Sequence, residues 1–370
     1  MTMTSLWFRP AVVGLVLSLA AAAPSRVAWE RTYGSGETWY EYKAATVTPA
    51  GEIVVAATAH VPDTNINTIR ILHIDLAGKQ VGDVGLDLPH ANIEGIATLP
   101  NGELLLVAEL VEERPAILRL DAGGKVLLNK APLGAGRRVS ILKTVVLSSG
   151  NVALLGRDDS GALALAADPN GRLLWEKRFD CGKSGAFVGA TALPDGGLIV
   201  VGNNGDVQPS RICVVDYGPG GEQRRDAPWP GRFGSIARAS NGTYGLVVDR
   251  GAPGRQDVWL LGLDGALKAG WEVAILAAPG VQHFRVAALA SGGFVVAGGK
   301  DDQPYVVGVS AEGKRSWDFW GSEMLRSESY AAFASREQAF VASSVFVEKE
   351  TGGKRTSPQR VRIVKFESAP

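Results

Sequence analysis

The stretch GATALPDGGLIVVG (189–202) holds two β-prone runs on either side of a Pro-Asp-Gly turn. Asp and Gly at the turn tolerate the left-handed backbone that a tight reversal needs. The second run, LIVVG, is apolar without interruption, as a strand must be when both its faces are covered. The same phrase recurs upstream as AATVTPAGEIVVAA (44–57), GIATLPNGELLLVAE (95–109) and KTVVLSSGNVALLG (143–156). Downstream it recurs as SIARASNGTYGLVV (235–248), VAALASGGFVVAGG (286–299) and, in degenerate form, YAAFASREQAFVASS (330–344). The turn positions Gly51, Gly102, Gly150, Gly196, Gly242, Gly292 and Arg336 are 51, 48, 46, 46, 50 and 44 residues apart.

A second phrase alternates with the first: a β run, an Asp, a Gly turn and another short strand. It reads TIRILHIDLAGKQV (68–81), AILRLDAGGKVLL (116–128), LALAADPNGRLLWEKRF (163–179), RICVVDYGPGGEQ (211–223), VWLLGLDGALKAGWEV (258–273) and YVVGVSAEGKRSWDF (305–319). Its anchors Asp75, Asp121, Asp168, Asp216, Asp264 and Ser310 keep the same period, at 46, 47, 48, 48 and 46 residues. Each unit therefore holds four short strands, a to d. A four-stranded unit of about 40–50 residues, repeated, predicts the blades of a β-propeller. The fold class is all-β with seven blades. The last copy ends in RVRIVKFESAP (360–370), which supplies strand c and stops. The missing strand d is RVAWERTYG (26–34), whose Trp29-Glu30-Arg31 aligns with Trp175-Glu176-Lys177. Pairing of this N-terminal strand with the C-terminal blade closes the ring and removes exposed sheet edges. A single domain is expected over 26–370.

The elements LPDGGLIVVG … ICVVDYGPGG and ADPNGRLLWEKRF resemble bacterial secreted propeller repeats of the form S-D-G-G-hydrophobic … D-x-x-G-x-x-x-W-x-x-x-[FY]-G. The D-x-x-G-x-x-x-W part is also similar to repeats of quinoprotein dehydrogenases and of an outer-membrane assembly lipoprotein. The resemblance covers about residues 26–370. It implies a propeller and leaves the activity open, because such scaffolds serve many roles.

Residues 1–22 read as a signal peptide: Arg9, the apolar run Ala11–Leu19, then Ala20-Ala21-Ala22-Ala23-Pro24. Pro10 to Ala23 is too short for the roughly 20 residues that span a bilayer. The expected location is the periplasm or the extracellular space. Cys181 and Cys213 then lie in an oxidising compartment, either bonded to each other or as separate small buried residues. Lys+Arg and Asp+Glu both number 38, so no basic excess points to nucleic acid. A monomer with no membrane span is expected.

No G-x-S-x-G, H-E-x-x-H, Walker or Cys-x-x-Cys motif is present, so no catalytic residue, metal or cofactor is assigned. Asp168-Pro169-Asn170-Gly171 and its relatives read as turns, since the ligand spacing of a calcium loop is lacking. The histidines are His60, His73, His90 and His283, and nothing in the sequence makes them converge. The repeat residues Trp29, Trp175, Trp271 and Trp317 read as packing between blades. Trp39, Trp229 and Trp320 are placed instead in the connections from strand d to the next strand a.

Those connections and the first residues of strand a face the mouth of the central channel, where apolar area with a few orienting polar groups makes a binding site. The candidate ligand-binding residues are Trp39, Glu41, Lys43, Asn92, Glu94, Arg232, Gln282, Arg326 and Glu328. The polar stretch Glu348–Gln359 is a further candidate contact, inserted between strands b and c of the last blade. The expected function is an exported, non-enzymatic module that binds a protein or cell-envelope partner as an adaptor or an immunity-type inhibitor. The alternative is a hydrolase or lyase acting on a glycan or lactone, with Glu41, Glu94 and Glu328 as acid and base.

Overall fold

The computed structural model describes residues 23–367 except 25, 35, 37, 62–66, 87, 89–90, 111–113, 132–137, 180, 182–185, 205–210, 253–254, 302, 322–329, 336–337, 347–348, 352–353 and 357. The expected signal peptide lies outside the described residues. No helix occurs among those described, and none is long and apolar enough to cross a membrane. Antiparallel four-stranded sheets follow one another along the chain, each in the order a-b-c-d. Their a strands are Trp39–Val47, Asn92–Thr98, Ser140–Val146, Ala186–Ala192, Arg232–Arg238, Val281–Ala288 and Tyr330–Ser335. Each a strand touches the next, and the seventh touches the first. The fold is a seven-bladed β-propeller. Ala23–Pro24 adds a short parallel strand to the outer edge of blade 6.

The b and c strands explain the uninterrupted apolar runs. In blade 1, Ile53, Val54, Val55, Ala56 and Ala57 of strand b are all fully buried. Alternate residues of that strand enter different cores. Val54 and Ala56 pack toward blade 2, and Ile53, Val55 and Ala57 toward blade 7. Among the described residues the buried apolar side chains form seven clusters, one at each seam between neighbouring blades, and no cluster on the central axis. Strand d has only one covered face and alternates, as Gln80–Leu86 does between exposed and more covered positions.

The D-x-x-G-x-x-x-W phrase is a seam device. In the c–d turns the Asp side chain caps two backbone amides, as Asp75 Oδ1 does for Ala77 N (2.9 Å) and Lys79 N (2.8 Å). The turn glycine then receives the Trp of the preceding blade. Trp29 Nε1 donates to Leu76 O (2.9 Å), Trp175 Nε1 to Pro219 O (2.9 Å) and Trp271 Nε1 to Ala311 O (3.0 Å). A Cβ on Gly221, at φ +78°, would meet the Trp175 ring at 2.7 Å. Trp317 instead stacks on Phe366 of blade 7, with ring centroids 5.4 Å apart. These four tryptophans pack between blades, as the repeat predicts.

Closure follows the expected register. Arg26–Tyr33 pairs antiparallel with Gln359–Glu367, from Arg26↔Glu367 to Tyr33↔Val361. The link from this strand into blade 1 is held by Arg360, whose guanidinium donates to Gly36 O and Thr38 O, both at 2.5 Å. Arg362 pairs with Glu30 at 2.6 Å. Cys181 and Cys213 form a disulfide with Cα atoms 5.7 Å apart, inside the seam between blades 3 and 4. The 348–359 stretch contains a hairpin, Lys349–Thr351 with Lys354–Thr356, between strands b and c of blade 7.

Candidate functional site

The a strands enclose a central channel of about 1070 Å³, lined by residues from all seven blades. A local irregularity shapes its wall. Strand a of blades 1 to 4 carries a one-residue bulge, between Tyr42 and Ala44, Ile93 and Gly95, Ile141 and Lys143, and Phe187 and Gly189. Blades 5 and 6 are irregular near the same level, between Arg232 and Gly234 and between Gln282 and Arg285. A bulge adds a residue to one strand only and re-aims the side chains around it. The extra residues Lys43, Glu94, Leu142 and Val188 all line the channel.

One residue further along, the ladder pairs Ala44 with Ala56, Gly95 with Val107, Lys143 with Leu155 and Gly189 with Val201. The equivalent pairs in the other blades are Ser235 with Val247, Arg285 with Ala297 and, matched through the strand c partners, Ala331 with Ala342. This ring of the channel is Ala, Gly, Lys, Gly, Ser, Arg, Ala. Five members are small. Lys143 and Arg285 are the exceptions, on blades 3 and 6.

The electrostatics differ between the ring and the mouth. Burial pushes the Lys143 ammonium down to about 8, and the neighbouring Arg285 charge adds to this. Lys143 is enclosed by protein on all sides, yet its own surface stays wetted by the channel, which tempers that depression. Burial also lowers the pKa of the Arg285 guanidinium. At the mouth, burial and the Glu109 charge raise the Glu94 carboxyl to about 7, against the opposing pull of Lys43.

The candidate mouth residues do not share one fate. Lys43, Asn92 and Glu94 line the channel; Lys43 Nζ pairs with Glu41 at 2.7 Å and Asn92 Nδ2 donates to Glu94 at 2.6 Å. Trp39 begins strand a of blade 1 and is 44% exposed. Arg232 is drawn into its own blade, donating to Gly251 O (3.0 Å) and Ala252 O (3.2 Å) and lying 3.4 Å from Asp249. Gln282 sits in strand a of blade 6 opposite Gly299. Arg326 and Glu328 lie outside the described residues. Trp229 and Trp320 belong to strand d of blades 4 and 6 rather than to connections; the Trp320 ring packs 4.2 Å from Tyr305.

His60 approaches Glu41 (3.6 Å) and His73 approaches Glu52 (3.3 Å). Among the described residues, no three His, Cys, Asp or Glu side chains are grouped to hold a metal. Lys143, Arg285, Arg238 and Asp249 were not among the sequence candidates, yet all line the channel. A signal for two of them exists. Lys143 and Arg285 lie seven residues before their turn glycines, where four other repeats have Ala44, Gly95, Gly189 and Ser235.

Fold comparisons agree with this architecture. The chain is similar to a protein of unknown function from Dyadobacter fermentans (TM-score 0.53, 11% identity, covering 92% of this chain and 98% of that one). It is similar to the WD40 domain of Toxoplasma gondii coronin (TM-score 0.57, 12% identity, 95% and 89% covered). A chain of the mitotic checkpoint complex superposes with TM-score 0.60 at 9% identity over 100% and 99% of the two chains. Puromycin hydrolase also matches (TM-score 0.55, 16% identity), but the chain spans only 54% of its length. At these identities the likeness is one of fold. No protein-family model matches the sequence, and no curated protein does.

Proposed function

We propose that the protein is an exported binding propeller that holds a protein or cell-envelope partner at the channel mouth. The observation carrying this reading is the convergence of strand a from different blades on one channel lined by Lys43, Asn92 and Glu94, with the exposed Trp39 at the start of the strand that holds Lys43. An exposed aromatic next to orienting polar groups is the composition of a contact hot spot. The Cys181–Cys213 disulfide supports an oxidising compartment, hence periplasmic or secreted placement. The Asp and Trp repeats support kinship with bacterial secreted propeller repeats.

Affinity capture from envelope extracts tests the reading. The wild type and a Trp39→Ala/Asn92→Ala variant are compared with Leu127→Ala, on the far outer strand of blade 2. A partner retained by the wild type and Leu127→Ala but lost by the mouth variant supports the proposal. Equal retention by all three refutes it. A second reading, acid–base chemistry on a glycan or lactone, draws on Glu94 alone. A carboxyl near 7 is matched to proton transfer at neutral pH.

A further inference from the structure

We propose that the waist of the channel is a binding site for a small organic dianion, a phosphate ester or a dicarboxylate, gripped between Lys143 and Arg285. This goes beyond the partner-binding reading and does not depend on it.

The first argument is placement. A ring position that is Ala, Gly or Ser in five blades is Lys in blade 3 and Arg in blade 6. The small members sit close to the neighbouring blade, where a Cβ on Gly95 would meet Thr144 at 2.6 Å and one on Gly189 the Ser235 backbone at 3.0 Å. Lys143 is instead exposed, and both it and Arg285 line the channel, so the two long cations reach toward shared space. In a seven-membered ring, members three blades apart stand on opposite sides.

The second argument is charge accounting. The carboxylates in the channel wall are already engaged. Asp249 accepts from the backbone amides of Gly251 (2.9 Å) and Asp257 (2.8 Å) and faces Arg232; Glu94 accepts from Asn92. Lys43 has Glu41. Among the described residues no carboxylate pairs with Lys143 or Arg285, while Arg238 adds a third cation whose buried Nε has no partner. Bringing like charges together inside a protein is unfavourable, and an anion between them reverses the sign. Arginine supplies a planar fork suited to carboxylate or phosphate oxygens, and lysine a point charge.

The third argument is size. A volume of about 1070 Å³ is far more than an inorganic ion needs and suits a drug-sized molecule. Leu142, Val188 and Phe284 supply apolar wall for the body of such a ligand. The site therefore calls for an anionic head on a larger organic frame.

Titration calorimetry at low ionic strength tests this, with pyrophosphate and citrate as the two probes. The wild type should bind at least one of them, and added salt should weaken binding. Lys143→Met and Arg285→Gln should each weaken it at least tenfold. Lys143→Arg, which keeps the charge, should bind within about threefold of wild type, and Lys125→Met, which removes an exposed charge from a turn, should bind normally. Preference for pyrophosphate assigns a phosphate ligand, and preference for citrate a carboxylate. Thermal melts of each variant establish that it is folded. Absence of binding by the wild type to both probes, or undiminished binding by a folded Lys143→Met/Arg285→Gln double variant, overturns the proposal.

Discussion

Strands a and b of any blade are hydrogen-bonded neighbours, yet they follow opposite rules. In blade 3, strand b (Val152–Asp158) buries Val152, Ala153, Leu154 and Leu155 completely, each pressed into a seam. Across the ladder, strand a presents Leu142 and Lys143 to the channel, with a bulge between its pairs at Ile141 and Lys143. The first strand is regular and apolar because neighbouring blades cover both its faces. The second is irregular and carries charge because one edge faces the open channel. The difference separates two kinds of residue. Those that keep the repeat period hold the seams, and those that break it face the channel. Changes at seams should therefore cost stability, and changes in the channel should cost little or even gain.

The largest effect should come from opening the ring. Deleting 26–34 strips the outer partner from Gln359–Glu367, removes Trp29 from its seat on the first blade, and leaves Arg362 without Glu30. An unpaired edge strand with buried cations invites association between molecules. Size-exclusion chromatography should show aggregation or loss of the cooperative melt. A truncated monomer melting with the wild type would break the view that seams carry the fold.

Next comes the seam between blades 3 and 4. Its disulfide closes a loop of sequence separation 32, so Cys181→Ala/Cys213→Ala should lower stability by about 3–4 kcal/mol on the chain-entropy account. Denaturant unfolding of the two proteins measures it. Smaller, and more diagnostic, is a pair of glycine replacements. Gly102 and Gly221 both have positive φ, +84° and +78°, but a Cβ on Gly102 meets nothing within 4 Å, whereas one on Gly221 meets Trp175. Gly102→Ala should cost about 1 kcal/mol from backbone strain alone. Gly221→Ala should cost about 1–2 kcal/mol more as the tryptophan is displaced. Equal costs would remove the seam function assigned to the Trp–Gly contact.

Much of this was legible in the sequence because periodic constraints are local. The Gly ladder marks a–b turns, and Gly51, Gly102, Gly150, Gly196, Gly242 and Gly292 all have positive φ. The Asp ladder marks c–d turns except in blade 4, where Asp216 lies inside strand c and pairs with Arg225 while Gly218 opens the turn. In blade 5 Leu267 stands at φ +62° where other repeats have Gly. Ring closure was legible from Trp29 aligning with Trp175. The disulfide was open, since the linear distance between Cys181 and Cys213 does not report that blade packing brings them within reach. The candidate site was legible only in part. Lys43, Asn92 and Glu94 were found because strand a starts at the mouth. Lys143 and Arg285 stand out only when the repeats are aligned on their turn glycines, and their meaning depends on the bulges that set the ring register. Arg232 reads as a mouth residue in sequence, but nearby carbonyls and Asp249 claim its charge.

A small effect should appear in the channel, with the opposite sign. The folded protein holds Glu94 near 7 from an ordinary value of 4.5, so the folded state keeps a proton that the unfolded chain has lost between those values. Linkage then lowers stability as pH rises from about 4.5 through 7. Glu94→Gln cannot make this loss. Its stability should match the wild type near pH 4 and exceed it by about 1–2 kcal/mol at pH 8, after allowing for screening by channel water. Melting temperatures across that range read the gap directly. The groups acting on Glu94 are Glu109, Lys43 and Asn92, so Glu109→Gln should shrink the gap by relieving the like charge. Parallel melting curves for wild type and Glu94→Gln at every pH would mean that Glu94 titrates as a solvated surface carboxylate. The channel would then share the energetics of the outer rim, and the contrast between the two strands would reduce to burial alone.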